Sequence, residues 1–380
     1  MKSWVEISRS NITHNLREFD RNLPSGVRFM AVVKSNAYGH GAREVAHIIS
    51  KNAPKKRELW LGADSVEEGV LLRKSGVKLP ILVLGYSPKE DLTYALRHNL
   101  RLTVYNAETI RALSSSASVV GKIANVHIKV DTGATRQGIG EKEAVKFCSA
   151  AAALKNIKIE GVSTHFANIE DTLNHSYAGE QHKRFMAVLK SLKSAGLQIP
   201  VIHTAASAAT ILFPETHFNM VRVGLSLYGL WPSAETKISA KTRVKDFNLR
   251  PVLCWKTIIA QIRQVSAGTP VSYGLTERVT RASKVAVLPI GYFDGYDRRL
   301  SSLGNVLIRG VKCKILGRVC MNMVMADVTD VPGVKIEDEA VLLGRQKKEQ
   351  ITAEEIAQKI GTINYEVVSR INPNLQRIAV

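Results

Sequence analysis

The stretch AVVKSNAYGHG, residues 31–41, places Lys34 directly after an apolar run and follows it with a polar segment that contains two glycines. Residues 29–33, FMAVV, are short, apolar and partly β-branched, which predicts a buried β-strand. Lys34 should therefore stand where a strand leaves the core. A lysine taken out of water can form a Schiff base, whereas a solvated ammonium is a poor nucleophile. The stretch predicts a reactive lysine at the mouth of a sheet core.

Composition predicts a soluble, cytoplasmic protein of two domains. The chain has 380 residues, of which 45% are hydrophobic, so it can bury a large core. It has no run of about 18 apolar residues, and the N-terminus MKSWVEISRS lacks an apolar signal core. Four cysteines form no CxxC pair and have no histidine at metal-ligand spacing, which predicts reduced thiols and no metal site. They are Cys148, Cys254, Cys313 and Cys320.

The net charge of +20 raises the question of nucleic-acid binding, because clustered Lys and Arg are its electrostatic footprint. The densest basic runs, Lys55-Lys56-Arg57 and Lys347-Lys348, are short and lack interleaved aromatic residues. The remaining charge is scattered over helix-like segments. We therefore expect a solvated basic surface that attracts anionic metabolites, and no nucleic-acid partner.

Short apolar strands alternate with helical patterns over most of the first 225 residues. Helix 10–23 precedes them, and Ser65 and Ser87 are predicted to cap two of the helices that follow, each with a glutamate reaching back. Eight strand-helix units predict a (β/α)8 TIM-type barrel. The predicted strands are residues 29–33, 59–63, 81–84, 101–104, 126–130, 159–164, 201–204 and 220–223.

From about residue 240 the pattern changes to alternating β segments separated by turns, which predicts a mostly-β domain. We place the barrel at residues 1–239 and the β-rich domain at residues 240–380, joined by an N-terminal strand at about residues 2–8. A short helix at 352–360 lies near the end of the chain. The predicted β segments are 252–265, 284–288, 306–308, 312–316, 323–327 and 340–343.

Polar side chains follow four successive barrel strands at their carboxyl ends, where the catalytic groups of such barrels lie. Packing alone does not explain this repetition, so it predicts a ligand site. The candidate residues are Lys129, Asp131 and Arg136 after the fifth strand, His165 and Asn168 after the sixth, His203, Thr204 and Ser207 at the seventh, and Arg222 in the eighth.

The segment at 31–41 closely resembles the pyridoxal phosphate (PLP) lysine motif of alanine racemases, and the resemblance spans essentially the whole chain. In that family the lysine carries the cofactor and the tyrosine four residues later contacts its phosphate. Lys34 and Tyr38 occupy these positions, with Ser35 where the family usually has alanine. The resemblance therefore implies a PLP-dependent enzyme.

The resemblance places Arg222 against the pyridine nitrogen of PLP. A guanidinium can only donate a hydrogen bond, so it leaves that nitrogen unprotonated, and the weaker electron sink favours racemisation over transamination. His165 is expected to hydrogen-bond Arg222. The phosphate is expected to be held by Tyr38, Ser207, the backbone amides of Gly224 and Leu225, and Tyr365.

Racemisation removes a proton from one face of the α-carbon and returns one to the other face, so a second base is expected. By resemblance this is Tyr273 in TPVSYGLTE, contributed by the second subunit of a homodimer with shared active sites. An ordinary tyrosine is protonated at neutral pH, so Arg136 and the His165–Arg222 pair are expected to favour its phenolate.

The resemblance also assigns residues to the substrate. Met321 donates its backbone amide to the substrate carboxylate, beside the side chain of Arg136. Tyr292 narrows the entrance and favours small substrates. Lys129 stands where the family often has a carbamylated lysine that orients the equivalent of Arg136.

We therefore expect a racemase that interconverts L- and D-alanine and supplies D-alanine for peptidoglycan. Asn322 and Ala134 depart from the family motifs, so a racemase of serine, lysine or ornithine remains an alternative. A PLP decarboxylase is disfavoured, since that class has a carboxylate where this chain has Arg222. A non-catalytic PLP-binding protein is disfavoured by the β domain that carries Tyr273.

Overall fold

The computed structural model describes residues 1–52, 54 and 57–380, which form two compact units. The barrel unit comprises Ile12–Ala37 and Val45–Arg250, and the β unit comprises Met1–Asn11, Tyr38–Glu44 and Pro251–Val380. The predicted division at residue 240 remains a prediction. Lys55 and Lys56, from the basic run noted above, lie outside the described residues.

Parallel strands form the barrel unit and confirm the predicted fold. Ladders join the eighth strand to the first and then each strand to the next as far as the seventh. The seventh and eighth approach where the Arg222 amide donates to the Ala205 carbonyl at 2.9 Å, which leaves the barrel nearly closed. In chain order the eight barrel strands of the described residues are Arg28–Val32, Leu59–Ala63, Ile81–Val83, Arg101–Val104, Ala124–Asp131, Ile157–Ser163, Val201–His203 and Met220–Val223.

The barrel strands are continuous apolar runs because both of their faces are covered. All five residues of Leu59–Ala63 and all four of Met220–Val223 are buried. This pattern is typical of parallel sheets flanked by helices. It also explains why the predicted ends of the strands differ from the observed ends by at most two residues.

Helices connect the barrel strands, and their caps were only partly predicted. As predicted, the Ser65 side chain caps its helix by accepting a hydrogen bond from the Glu68 amide at 3.2 Å. The Glu68 carboxylate does not reach back to Ser65, however, because it accepts hydrogen bonds from the amides of Asp64 and Ser35. The predicted cap at Ser87 is wrong, because its buried hydroxyl has no hydrogen-bond partner among the described residues and Pro88 precedes the next turn. The helices up to residue 250 are Arg9–Asn22, Ala42–Lys51, Val66–Lys74, Leu92–Arg97, Ala107–Val119, Ala144–Ala152, Ser176–Ser194, Ser207–Leu212 and Ala234–Arg243.

The β unit contains one large, mostly antiparallel sheet. The predicted strand 252–265 is in fact two strands, because Leu253–Ile258 pairs with Glu339–Gln346 whereas Gln261–Val265 pairs with Ser283–Leu288. Its other strands in the described residues are Ser3–Ile7, Asn305–Ile308, Val311–Leu316, Val324–Asp327, Glu349–Ile351 and Arg377–Ala379. A separate pair is formed by Pro270–Val271 and Glu277–Arg278.

Both ends of the chain enter the β sheet. The N-terminal strand Ser3–Ile7 lies antiparallel to Leu253–Ile258 and parallel to Arg377–Ala379. Helices Ala353–Ile360 and Asn364–Ser369 precede the last strand, and Thr352 caps the first of them as an N-cap. Across the described part of the chain, the helices are too short or too polar to cross a bilayer.

Asn15 ties the first helix to the segment that follows the eighth barrel strand. Its buried amide donates to the carbonyls of Leu227 and Arg250 at 3.0 and 2.9 Å, and its carbonyl accepts from the Arg250 amide at 2.8 Å. Replacing Asn15 with leucine keeps the branching of the side chain but leaves these buried groups without hydrogen-bond partners, so we expect a loss of about 2–4 kcal/mol in the free energy of unfolding. Urea denaturation measures this loss. The control Asn22→Leu, exposed on the same helix, should cost less than about 1 kcal/mol.

Candidate active site

The segment after the first barrel strand forms a left-handed turn. Ser35, Asn36, Ala37 and Tyr38 all have φ between 52° and 54°, although none of them is glycine. Non-glycine residues in this conformation cost about 1 kcal/mol or more each. Such strain persists only where surrounding contacts impose it, and it is concentrated at functional sites.

Glu68 holds the turn from the neighbouring helix. Its two carboxylate oxygens accept from the amides of Ser35 at 2.7 Å and Asp64 at 2.8 Å, which ties the ends of the first and second barrel strands together. The Lys34 ammonium lies 3.4 Å from the Asp64 carboxylate. The expected desolvation of Lys34 is not seen in the barrel unit alone, where its side chain is 40% exposed, because the strand already ends at Val32.

Arg222 is a buried cation at the end of the barrel. Its side chain makes five hydrogen bonds within the described residues, all through Nη1 and Nη2, and these leave Nε–H as its remaining donor. Three acceptors are the carbonyls of Thr164, His203 and Thr204, at 2.7 to 2.9 Å. Burial and the charge of Arg136 lower the pKa of Arg222 to about 10, so it stays protonated at neutral pH.

Two histidines accept hydrogen bonds from Arg222 through their Nδ1 atoms, His203 at 2.7 Å and His165 at 3.3 Å. A guanidinium has no acceptor, so both imidazoles must present an unprotonated Nδ1. Burial, reinforced by Arg222, holds the pKa of each histidine well below its ordinary value. Both are therefore neutral, and each carries its proton on Nε2.

Lys129, Arg136 and His165 line a small cleft at the ends of the fifth and sixth strands. Burial and the charges of Arg222, Arg136 and Lys34 lower the pKa of Lys129 to about 7. A substantial fraction of the Lys129 amine is therefore unprotonated and nucleophilic at neutral pH. The cleft joins cationic side chains with a reactive amine.

Three strand-end candidates have structural roles instead. The Asp131 carboxylate accepts from the amides of Gly133 and Ala134 at 2.8 Å and so caps its own turn. The buried Thr204 hydroxyl donates to the Thr216 carbonyl at 2.7 Å. Asn168 is exposed, and its side chain contacts Asp171.

Ser207 and Gly224 are in contact just after the end of the eighth barrel strand, which carries Arg222. The Gly224 amide donates to the Ser207 hydroxyl at 3.2 Å, and Leu225 begins a short turn directly after it. Ser207 is also the first residue of helix Ser207–Leu212. Hydroxyl and amide donors at such a chain reversal are suited to an anion such as phosphate.

In the β unit, the tyrosine rings of Tyr38 and Tyr365 lie 6.3 Å apart. Gly39 follows Tyr38 with φ +83°, and a Cβ added there would lie 2.0 Å from the Val368 carbonyl oxygen. Only glycine fits at this position. The close approach brings residue 38 beside the helix that carries Tyr365.

A depression of about 780 Å³ in the β unit is lined by Tyr273, Tyr292 and Met321. Tyr273 is 73% exposed and Met321 54% exposed, so large apolar side chains face outward there. Gly291 allows the amides of Tyr292 and Phe293 to donate to the carbonyls of Cys320 and Met321 at 3.1 and 3.0 Å. These bonds fix Tyr292 beside Met321.

The sequence analysis did not assign Asp64, Glu68, His127 or Glu160 to the site, although all four contact candidate site residues or support them. In the sequence, Asp64 and Glu68 resemble the acidic residues that are common near the N-terminus of a helix. His127 and Glu160 interrupt apolar strands, and that interruption was the available signal. Across the described residues, no cluster of three or more metal-ligating side chains occurs.

Comparison with known proteins identifies the family and supports the fold. The profile of the alanine racemase N-terminal domain matches residues 7–232, and that of the C-terminal domain matches residues 252–379. The alanine racemase of Desulfovibrio desulfuricans is 40% identical over 99% of this chain and 98% of its own length. The structure of the Clostridium difficile 630 alanine racemase has a TM-score of 0.93 at 35% identity, with 100% of this chain and 96% of that chain covered. The Bacillus anthracis alanine racemase, solved with bound L-Ala-P, has a TM-score of 0.91 at 36% identity, with coverage of 100% and 95%.

The barrel, the β unit and the basic strand-end site define an amino-acid racemase. The two domain profiles, and a relative that matches over nearly its whole length, are all alanine racemases. The chain belongs to the alanine racemase family.

The low pKa of Lys129 generates a test of its chemistry. Only the free amine reacts with carbon dioxide, and with a pKa of about 7 its fraction rises as the pH increases from 6 to 8. With ¹³C-bicarbonate we expect a carbamate carbon signal that is larger at pH 8 than at pH 6, measured by ¹³C NMR. The Lys129→Arg variant, which keeps a cation but lacks the amine, should lose the signal. A signal of the same size in that variant would contradict the assignment.

Proposed function

We propose that the chain interconverts L-alanine and D-alanine with PLP held at the barrel mouth. The observation that carries this proposal is the buried Arg222, whose Nη groups are committed to protein acceptors while Nε–H remains as a donor. It lies in a chain whose full-length relatives are alanine racemases.

The residues present fit PLP. The family depends on this cofactor, and its aldehyde requires an amine, its phosphate requires hydrogen-bond donors and its ring nitrogen requires a polar partner. Lys34 supplies the amine and Arg222 the donor to the ring. We propose that the phosphate is held by Tyr38, Ser207, the amides of Gly224 and Leu225, and Tyr365. When bound, PLP withdraws electrons from the α-carbon of the amino acid and so acidifies its proton.

Arg222 tunes this chemistry by donating a hydrogen bond without giving up its proton. Its pKa of about 10 keeps it charged, and its Nη bonds fix its orientation. A donor-only partner leaves the ring nitrogen unprotonated, which favours return of the α-proton over transamination.

Two bases on opposite faces of the α-carbon complete the reaction. We propose that Lys34 Nζ exchanges the proton on the D face and that the Tyr273 hydroxyl exchanges it on the L face. Tyr273 would come from the second subunit of a homodimer, which is supported by its high exposure and by the outward-facing Met321 beside it. His165, with its proton on Nε2, would donate toward Tyr273 and favour the phenolate.

Substrate selection would use residues around the same depression. We propose that the Met321 amide and Arg136 bind the substrate carboxylate, that Lys129, as a carbamate, orients Arg136, and that Tyr292 limits the size of the side chain. Supply of D-alanine for peptidoglycan and a cytoplasmic location follow as proposals from the family's role.

The two-base scheme predicts the effect of Tyr273→Phe. Loss of one positioned acid–base group should lower the racemisation rate about 10²- to 10⁴-fold, while PLP binding, followed by its absorbance, is retained. Chiral chromatography of L-alanine incubations measures the rate.

Two comparisons make that measurement decisive. Tyr94→Phe, on helix Leu92–Arg97 and outside the proposed site, should racemise alanine at the unaltered rate. The unaltered protein should turn over alanine faster than serine, lysine or ornithine. Full activity of Tyr273→Phe would rule out the second base.

The shared-site dimer predicts complementation between two inactive variants. Lys34→Ala lacks the cofactor lysine and Tyr273→Phe lacks the second base, so a mixed dimer contains one intact site. Subunits mixed after mild denaturation and refolding should recover about a quarter of the unaltered activity, since about half of the dimers are mixed. If no activity returns although mixed dimers are detected by native mass spectrometry, Tyr273 does not act across subunits.

A further inference from the structure

A hydrogen-bonded line of side chains crosses the barrel interior behind Arg222. Arg222 Nη1 lies 2.7 Å from His203 Nδ1, His203 Nε2 lies 2.8 Å from His127 Nδ1, and His127 Nε2 lies 3.4 Å from Glu160 Oε2. Arg101 Nε completes the line at 2.7 Å from the same Glu160 oxygen. We call His203, His127 and Glu160 the histidine network.

The network runs from one end of the barrel to the other. His203 is the last residue of the seventh strand, whereas His127 lies in the middle of the fifth and Arg101 begins the fourth. At the carboxyl ends of the strands the network contacts the cation Arg222. At its other end Glu160 pairs with Arg101, which lies at the amino end of the fourth strand.

The chemistry of the two ends fixes the direction of every hydrogen bond. Arg222 can only donate, so His203 Nδ1 is the acceptor and its proton is on Nε2. His203 Nε2–H then donates to His127 Nδ1, and His127 Nε2–H donates to the Glu160 carboxylate. Burial lowers the pKa of both histidines, in agreement with two neutral rings.

A β-bulge builds this arrangement into the sheet. Val126 pairs with Ile159 and His127 pairs with Gly161, so Glu160 is an extra residue in the sixth strand. A Cβ added at Gly161 would lie 2.3 Å from His127 Nδ1, so a side chain there would displace the imidazole. Bulges re-aim side chains next to functional sites.

Trp60 packs the far end of the network. Its ring contacts the His127 ring edge-on, with centroids 5.6 Å apart, and the Arg101 guanidinium lies 4.6 Å from its centroid. Hydrogen bonds from His127 and Arg101 outweigh the effect of burial and hold the pKa of Glu160 below its ordinary value. Glu160 is therefore an anion.

We propose that His203, His127 and Glu160 are positioning residues that hold Arg222 in one orientation through a fixed sequence of imidazole tautomers. Each bond in such a network polarises the next, so the anionic end strengthens the acceptor that faces Arg222. The consequence for catalysis rests on the proposed function, in which Arg222 faces the ring of PLP.

The tautomers are measured on the cofactor-free protein, so this test does not depend on racemase activity. In ¹⁵N-histidine-labelled protein, His203 and His127 should each show a protonated Nε2 and an unprotonated Nδ1. Either ring with its proton on Nδ1, or with both nitrogens protonated, would overturn the proposal.

Two substitutions at His127 distinguish the effect of its hydrogen-bond acceptor from the effect of its side-chain volume. His127→Leu removes the acceptor of His203 Nε2–H, so the His203 signals should show a mixture of tautomers. In the PLP-loaded enzyme, kcat should fall about tenfold, while KM should change by no more than about twofold. His127→Asn supplies an acceptor oxygen and should restore the single His203 tautomer and most of kcat. A single His203 tautomer and unchanged kcat in His127→Leu would overturn the positioning role.

Glu160→Gln gives a second variant if His127→Leu does not fold. It removes the anion with little change in volume, so the His127 Nε2–H signal should move upfield and kcat should fall by about tenfold at unchanged KM. Glu58→Gln is the matched control, because the Glu58 carboxylate contacts Trp60 and Arg28 and lies outside the network. This variant should leave both readouts unchanged.

If the unaltered, PLP-loaded protein does not racemise alanine, the proposed function fails. The tautomer measurement then still decides whether the histidine network exists as proposed.

Discussion

The buried charge of Arg222 is the constraint on which the barrel end depends. An ionised group placed in a protein interior is costly unless hydrogen-bond acceptors surround it. Here three strand-end carbonyls and two imidazoles provide those acceptors, so the strands that carry them cannot shift independently of one another. These hydrogen bonds offset the cost of burying the Arg222 charge, and they also fix the orientation of its guanidinium.

The first barrel strand, which pairs with the strand that carries Arg222, is followed by a strained turn that is held in place by hydrogen bonds. Four non-glycine residues after Lys34 adopt a left-handed conformation, and a single carboxylate, that of Glu68, bridges two strand ends to hold it. The lysine itself is left substantially exposed beside Asp64. The rigid part of this region is therefore the backbone, and the lysine side chain is the part that can respond to a ligand.

The sequence allowed the barrel strands to be placed closely, because buried parallel strands are short, apolar and separated by helical patterns. It was less informative where pairing partners decide the outcome, as at residues 252–265, which form two strands with different neighbours. Strand-end position singled out Arg222 and His165, which the structure joins by a hydrogen bond. It also selected Asp131, Thr204 and Asn168, whose side chains serve local structure. His127 and Glu160 interrupt apolar strands in the sequence, but their contact depends on a β-bulge, which strand pairing reveals and the interruption alone does not.

The pairing of Ser3–Ile7 with Leu253–Ile258 and Arg377–Ala379 has a consequence for synthesis on the ribosome. Strand Ser3–Ile7 has no sheet neighbour until residue 258 has been translated, and its second neighbour is made only at residues 377–379. The barrel strands, by contrast, have all been translated by residue 223 and their unit by residue 250, so this unit can fold while the rest is still being made. Strand Ser3–Ile7 must therefore stay unpaired while the barrel strands are translated, and its pairing on both edges waits for residues 377–379.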